Sequence, residues 1–467
     1  MFIFKNMNIY PGLFSQHYFK DFKLHPALQR GLGRLGINRA TAVQSRAFVP
    51  ISARRDASIC AETGSGKTLS YLLPLLNRQL YLQDRARAPV VVLCPSVDLC
   101  SQVVRVALAL DADQLLKFQL LSEQYKPLGQ PPSDIFDETS IQSAPLPISS
   151  LRIHWGLVDL VVATPAKFLE DFAGTRNSPL PSALVFDEAD FILTGANRAE
   201  AVEVMDRMQA GGGVQSIFVS ATLPNMGNNS VGSILARKFN SAEVVTSELR
   251  HCLPPGISTR WINAQSDFDS RAELLAADIL PFLSGSRTLV FANTIETVSK
   301  LHLYLKGKGW SVARFSKGHE ARTVPRVRDA ELFSSGDVDI LVATDLAARG
   351  IDWPDVATVI NFDMPLDASA WLHRAGRCGR MGKPGKVVSL VGPTDSEQYL
   401  ANGLRDRAET GKNLHGLFSS KRSLRKNRRE KPGCDPEEPA RTVDVAEGVV
   451  GWVEPLRVKE KLSSIHS

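Results

Sequence analysis

The segment Ala61-Glu62-Thr63-Gly64-Ser65-Gly66-Lys67-Thr68 follows an apolar run and opens a helix-compatible stretch from Leu69. A strand, a glycine-bearing loop and a helix in that order suit a loop that wraps phosphates. Gly64 and Gly66 let backbone N–H groups approach the oxygens, and the helix start adds its positive dipole end. Lys67 can reach β- and γ-phosphates as a point charge, and the Thr68 hydroxyl can ligate Mg²⁺. The strict pattern begins with Gly, where Ala61 stands here; a plain turn is the bland alternative, and the context favours a nucleotide. Further on, the run Ala183–Phe186 delivers Asp187-Glu188-Ala189-Asp190 at its end. Asp187 is placed to hold Mg²⁺, usually through water, and Glu188 to orient and deprotonate an attacking water. An acidic helix start would also explain these residues, but the phosphate loop upstream makes the chemical reading the stronger one.

These groups need elements to position them. Short β-rich runs alternate with longer helical stretches, which predicts an α/β fold with mostly parallel sheets. In the first half the strands are expected at Ala57–Cys60, Val90–Cys94, Val158–Ala163, Ala183–Asp187 and Gln215–Val219. In the second half they are expected at Thr288–Ala292, Asp339–Ala343, Ala357–Phe362 and Lys386–Val391. Continuous Val/Ile/Leu runs suit strands buried on both faces, and ligands of such sheets sit beyond the carboxyl ends of the strands. Leu253-Pro254-Pro255-Gly256 cannot continue helix or strand. The expected organisation is an extension at 1–18, a nucleotide-binding domain at 19–248, a linker at 249–256, a second domain at 257–403 and a basic tail at 404–467. Lys126–Ser150, rich in Pro, Ser and Gln, reads as a surface insertion in the first domain.

Asp-Glu-Ala-Asp resembles the name-giving motif of DEAD-box RNA helicases, and further motifs follow in that family's order from about Phe19 to Gly385. The resemblance implies two RecA-like domains, each a mostly parallel sheet flanked by helices, that use ATP and Mg²⁺ to remodel RNA. Phe19, Gly36, Thr41 and Gln44 resemble the adenine-reading Q motif, with Gln44 pairing the adenine edge and Phe19 packing nearby. Ser220-Ala221-Thr222 is similar to the coupling motif whose hydroxyls bond the acidic motif; Asp190 and His373 join it in that role. Ala343-Thr344 through Ile351-Asp352 looks like motif V, with Asp352 on the ribose and Thr344 on RNA. His373-Arg374-Ala375-Gly376-Arg377-Cys378-Gly379-Arg380 looks like motif VI, with Arg377 and Arg380 as arginine fingers on the γ-phosphate.

The expected RNA track is Pro95, Thr164, Lys167, Asn293, Arg326 and Thr344, and here the pattern departs from the family's. Val97 in Pro95-Ser96-Val97-Asp98-Leu99 replaces a basic residue, and Lys167 stands for an Arg, keeping charge but losing the planar fork. Thr323-Val324-Pro325-Arg326 keeps its Arg without the usual Gln, whereas Phe291-Ala292-Asn293-Thr294 resembles motif IV well. Between Lys421 and Lys431 lie seven Lys or Arg against Glu430, which equals the net charge of +6 for all 467 residues. The run is either a phosphate-binding tail that compensates for the thinner track or a solvated charge run. Truncation before Lys421 decides: unchanged RNA affinity with an unchanged salt slope removes the first reading.

Hydrophobic residues at 43% and charged residues at 22% describe a globular chain with no apolar run long enough for a membrane span, so a soluble protein without a membrane partner is expected. The six cysteines show no CxxC pair or metal spacing; Cys60 and Cys94 read as small core hydrophobes, reduced and intracellular. The first twenty residues hold Lys5 and Lys20 and no acid, in keeping with a mitochondrial presequence, but no Arg, and Phe19 and Phe22 belong to the folded enzyme. Ala61–Leu76 and Ser247–Cys252 look like an animal mitochondrial branch linked to ribosome assembly, so mitochondrion stands beside nucleus, nucleolus and cytoplasm as the compartment. A monomer acting on RNA, alone or in ribosomal or ribonucleoprotein assembly intermediates, is expected. Two rivals remain: an ATP-gated RNA clamp, which would bind RNA without multiple-turnover strand separation, and a DNA helicase, whose ATPase DNA would stimulate.

Overall fold

The structure is a computed structural model that describes residues 14–82, 88–122, 148–150, 152–174, 179–223, 230–247, 249–254, 256–283, 285–316, 323–345, 353, 355–380 and 383–417. Asp352, the basic run Lys421–Lys431 and most of the Lys126–Ser150 stretch lie outside the described residues.

Strand β1 (Phe14–Tyr18) pairs antiparallel with β2 (Arg39–Thr41) ahead of the first large sheet. That sheet has eight strands: β3 (Ala57–Cys60), β4 (Val90–Leu93), β5 (Phe118–Leu121), β6 (Ile148–Ser150), β7 (Leu160–Ala163), β8 (Ala183–Asp187), β9 (Gln215–Ser220) and β10 (Glu243–Thr246). Their order is β10-β3-β9-β8-β4-β7-β5-β6, and every pairing is parallel. The chain leaves this sheet at Thr246 and enters the second at Ile257. The second sheet is built from β11 (Ile257–Asn263), β12 (Thr288–Phe291), β13 (Val312–Phe315), β14 (Ile340–Ala343), β15 (Thr358–Asn361) and β16 (Gly385–Val391). Its order is β11-β16-β15-β12-β14-β13, again all parallel.

Alternation of side chains across a strand explains the apolar runs. In β4, Val90 and Val92 enter the hydrophobic layer on one face, and Val91 and Leu93 enter the layer on the other. In β12, Leu289 and Phe291 split from Val290 in the same way. All nine expected strands are present within two residues of the expected bounds.

The strands that sequence pattern did not mark are mostly edges. β6, β10, β11 and β13 each end a sheet, and in β10 and β13 exposed or half-buried polar residues such as Glu243 and Arg314 interrupt the apolar run. β5 is internal, and buried Gln119 breaks its run. The Gln119 amide donates to the Arg152 carbonyl (2.6 Å) and accepts from the His154 N–H (3.1 Å). Replacing Gln119 by Ala would withdraw both partners inside the protein. A loss of about 1–3 kcal/mol in stability is expected, read as a lowered urea midpoint at constant m-value.

Two expected boundaries shift. The stretch expected to end as insertion at Ser150 closes with the strand Ile148–Ser150, which pairs β5. The second domain does not end at Gly403, because a helix runs through it from Asp395 to Thr410 and buries Leu404. Gly403 looks like a breaker in sequence, but a Cβ there would lie 2.9 Å from the Leu417 side chain, so the helix keeps glycine for close packing.

Candidate nucleotide and coupling site

The phosphate loop links β3 to the helix Lys67–Tyr81 and needs glycine for conformation: Gly64 and Gly66 both have φ of 82°. The Lys67 ammonium lies back across the loop and donates to the carbonyls of Ala61 (2.9 Å) and Glu62 (3.0 Å). The Ser65 hydroxyl donates to the same Glu62 carbonyl at 2.7 Å. Ser247, just past β10, holds the Glu62 carboxylate by its hydroxyl.

Gln44 sits against this loop. Its carbonyl accepts from the Thr41 N–H (2.8 Å) while the Thr41 hydroxyl accepts from the Gln44 N–H, a capping box that starts the helix Ala42–Ser52. Its amide N–H donates to the Gly66 carbonyl at 3.2 Å. Both ends of the amide therefore serve the chain itself, and a base reaching Gln44 would exchange places with those partners. Phe19 is buried in the core of the first domain, 5.7 Å from Phe22 between ring centroids.

The acidic end of β8 is also engaged. Asp187 Oδ2 accepts from the Tyr71 hydroxyl (2.8 Å), and Oδ1 accepts from the Glu188 N–H (3.0 Å). Burial, then the charge of Glu188, pushes the Asp187 carboxyl up to about 6. Burial likewise pushes the Tyr71 phenol well above its ordinary value. Glu188 itself adopts φ of 53°, a backbone conformation unusual for a non-glycine residue and of the kind found at functional sites. Thr68 and Asp187 offer hard oxygen donors of the type Mg²⁺ takes, and a divalent cation would offset the burial and the Glu188 charge that lift the Asp187 carboxyl.

The second domain closes the site. The helix Ala368–Ala375 brings His373 Nε2 to 2.8 Å from Asp190 Oδ2 and His373 Nδ1 to 4.0 Å from Glu188 Oε2. Thr222 donates to the same Asp190 oxygen by its hydroxyl, and Ser220 donates to the Thr222 carbonyl at 2.6 Å. Glu188, Asp190 and His373 offer ligand atoms within 4.8 Å of one another. The His373–Asp190 spacing is that of a hydrogen bond, which links the two domains at this cluster. Buried Arg377 donates to the His373 carbonyl (3.3 Å), and Arg380 donates to the Gly376 carbonyl (3.1 Å). The fit with the phosphate loop is close: a Cβ on Gly64 would meet Arg380 Cγ at 3.6 Å, and one on Gly376 would meet Thr63 Oγ1 at 1.7 Å.

The expected RNA contacts follow the carboxyl ends of neighbouring strands: Pro95 and Thr164 after β4 and β7, Asn293 and Thr344 after β12 and β14. Lys167 pairs with Glu170 at 3.0 Å, one turn along its helix. The Asn293 amide is committed inward, accepting from Arg374 (2.6 Å) and donating to the Met364 carbonyl (2.9 Å), so it presents no free amide to a ligand here. Thr344 is buried, with its N–H on the Phe315 carbonyl. Arg326 lies in the helix Thr323–Ser335, and its side chain is outside the described residues.

Sequence reasoning assigned no role to two residues that organise the site. Arg374 makes a two-pronged pair with Asp345 (2.7 Å each) and also bonds Asn293, Asn361 and the Asp363 carbonyl, tying the ends of β12, β14 and β15 together. Tyr71 lies four residues beyond Lys67, on the same helix face, and that spacing was the available signal. The thiols of Cys60 and Cys378, pushed up to about 12 by burial, pack as apolar groups.

Two sequence models match this chain: the DEAD/DEAH box helicase family over residues 41–229 and the helicase conserved C-terminal domain over residues 273–382. The chain belongs to the DEAD-box helicases, built from tandem RecA-like domains. It is 29% identical over 389 residues to the ATP-dependent RNA helicase DRS1 of Yarrowia lipolytica, an alignment covering 82% of this chain and 48% of that one. It is 25% identical to DEAD-box ATP-dependent RNA helicase 22 of Arabidopsis thaliana, covering 86% and 82% of the two chains. RhlB of Xanthomonas axonopodis pv. citri is 30% identical, with 80% of this chain and 62% of that one covered. The chain thus spans about half of the first relative and three-fifths of the third. The fold is similar to that of S. cerevisiae Dbp5 bound to RNA and ADP BeF3, with a TM-score of 0.69 at 20% identity over 84% of this chain and 93% of that one. Mss116p bound to ssRNA and AMP-PNP gives a TM-score of 0.66 at 20% identity, covering 86% and 78%. Among the described residues no helix is long and apolar enough to cross a membrane.

Proposed function

We propose that this chain is an RNA-stimulated ATPase that uses closure of its two domains to melt short RNA duplexes or remodel RNA–protein complexes. The observation that carries the reading is the docking of the His373–Arg380 segment onto the phosphate loop, with Gly376 against Thr63 and Arg380 against Gly64. Lys67 leaves the carbonyls of Ala61 and Glu62 to meet the β- and γ-phosphates. Gln44 and Phe19 take the adenine, and the N–H groups of Gly64–Thr68 hold the phosphate oxygens. Thr68 and Asp187 would hold Mg²⁺, which would supply positive charge to offset that of the phosphate oxygens. Glu188 accepts the proton of the attacking water, and Arg377 and Arg380 stabilise the charge that develops on the transferred phosphoryl group.

RNA lies across the strand ends of both domains, along Pro95, Thr164 and Lys167 and then Thr344 and Arg326. A bound strand and the ATP pocket are thereby completed by the same movement. The contacts of His373 with Asp190 and Thr222 cross between the domains, so they report closure to the acidic motif. ATP hydrolysis measured without nucleic acid, with single-stranded RNA and with DNA tests the proposal. Stimulation by RNA well above that by DNA is expected. No response to RNA, or no ATP turnover at all, would remove it.

A further inference from the structure

The hydroxyl of Thr222 touches three groups from two domains. Asp190 Oδ2 is a carboxylate oxygen and accepts, so the Thr222 proton goes to it. The Thr222 oxygen is left as an acceptor, and Ser369 Oγ lies 2.8 Å from it. His373 Nε2 is 3.5 Å from Thr222 but 2.8 Å from Asp190, so its proton goes to the carboxylate. Ser369 must therefore be the donor to Thr222. Ser369 and His373 are four residues apart on the helix Ala368–Ala375 and so share one face. Asp367 caps that helix by accepting from the Ala370 N–H at 2.8 Å, which fixes its first turn where Ser369 sits.

We propose that Ser369 is a positioning residue for domain closure, donating a hydrogen bond to Thr222 that exists only when the two domains meet. It acts through Thr222 on Asp190. The inference rests on the proposed coupling of ATP, RNA and closure. A neutral hydrogen bond present only in the closed form favours that form by about 3- to 10-fold. The effect belongs in whatever binds the closed form, not in nucleotide affinity of the open one.

The test uses the full chain with Ser369→Ala and Ser369→Thr. Affinity for a single-stranded RNA is measured with AMP-PNP and Mg²⁺ and again without nucleotide, and AMP-PNP affinity is measured without RNA. For Ser369→Ala the AMP-PNP-dependent RNA affinity is expected to fall about 3- to 10-fold. The other two affinities should hold within about twofold, and Ser369→Thr should restore the first, since it keeps the hydroxyl. An Ala variant that matches the wild type in AMP-PNP-dependent RNA affinity overturns the assignment. So does one that weakens all three affinities equally, the mark of a merely structural role. If the wild type shows no AMP-PNP-dependent gain in RNA affinity, the proposed function itself fails and the role of Ser369 falls with it.

Discussion

Replacing Glu188 by Gln is expected to lower RNA-stimulated ATP turnover by about 10²- to 10⁴-fold while ATP-dependent RNA binding persists. Gln keeps the shape and removes the basicity, so the variant separates proton transfer from positioning. The expectation rests on the proposed role of Glu188 as base and on its surroundings. It is buried, sits at φ of 53° directly after β8, and is 4.0 Å from the nearest nitrogen of His373, beyond hydrogen-bond reach. Its neighbour Asp187, by contrast, has both oxygens engaged by Tyr71 and a backbone N–H. Two adjacent carboxylates thus have different surroundings, one tied down and one left to act. Single-turnover hydrolysis with saturating RNA and ATP gives the readout; retention within about tenfold of wild type would place the base elsewhere. Since Gln also removes a negative charge beside Asp187, ATP affinity should hold or rise, whereas a fall would point to a damaged pocket.

The sequence made this acidic pair visible because its chemistry is written in contiguous residues at a strand end, and the same holds for Ala61–Thr68. The central strands were equally legible, since burial on both faces leaves uninterrupted Val, Leu and Ile. Edge strands β10, β11 and β13 escaped because one exposed face admits Glu, Thr and Arg, and β5 escaped because Gln119 satisfies backbone groups from the 152–154 segment. What sequence could not supply was contact between distant segments. Tyr71 reads as one more apolar residue of a helix until its hydroxyl is seen on Asp187, 116 residues away. Ser369 carries no signal without the placement of the second domain over Thr222. Asn293 adds a tie that the sequence does not show: the residue expected on RNA bonds Arg374 and the Met364 carbonyl through its amide, joining neighbouring strand ends.

Gly376→Ala should abolish most coupled activity through a single added methyl group, with a loss on the order of 10²-fold in RNA-stimulated turnover. The backbone at Gly376, φ −69° and ψ 4°, is open to alanine, so the isolated domain has no reason to misfold. The obstacle is across the interface: the new Cβ would stand 1.7 Å from Thr63 Oγ1, 2.8 Å from its Cβ and 3.0 Å from its Cγ2. Rotating Thr63 relieves the first contact and leaves the second, so the domains must separate by a fraction of an ångström to about an ångström. In the proposed mechanism phosphoryl transfer depends on Arg377 and Arg380 reaching the γ-phosphate, and displacements of that size are costly there. ATP affinity in the absence of RNA should be unchanged, which isolates the defect to closure. The double variant Gly376→Ala with Thr63→Ala removes two of the three clashing atoms and should recover part of the lost turnover. Full activity in the single variant would mean that the docked arrangement of loop and helix is not the one in which ATP is cleaved. Loss in the single variant without any recovery in the double would place the damage in the helix and not in its contact with Thr63.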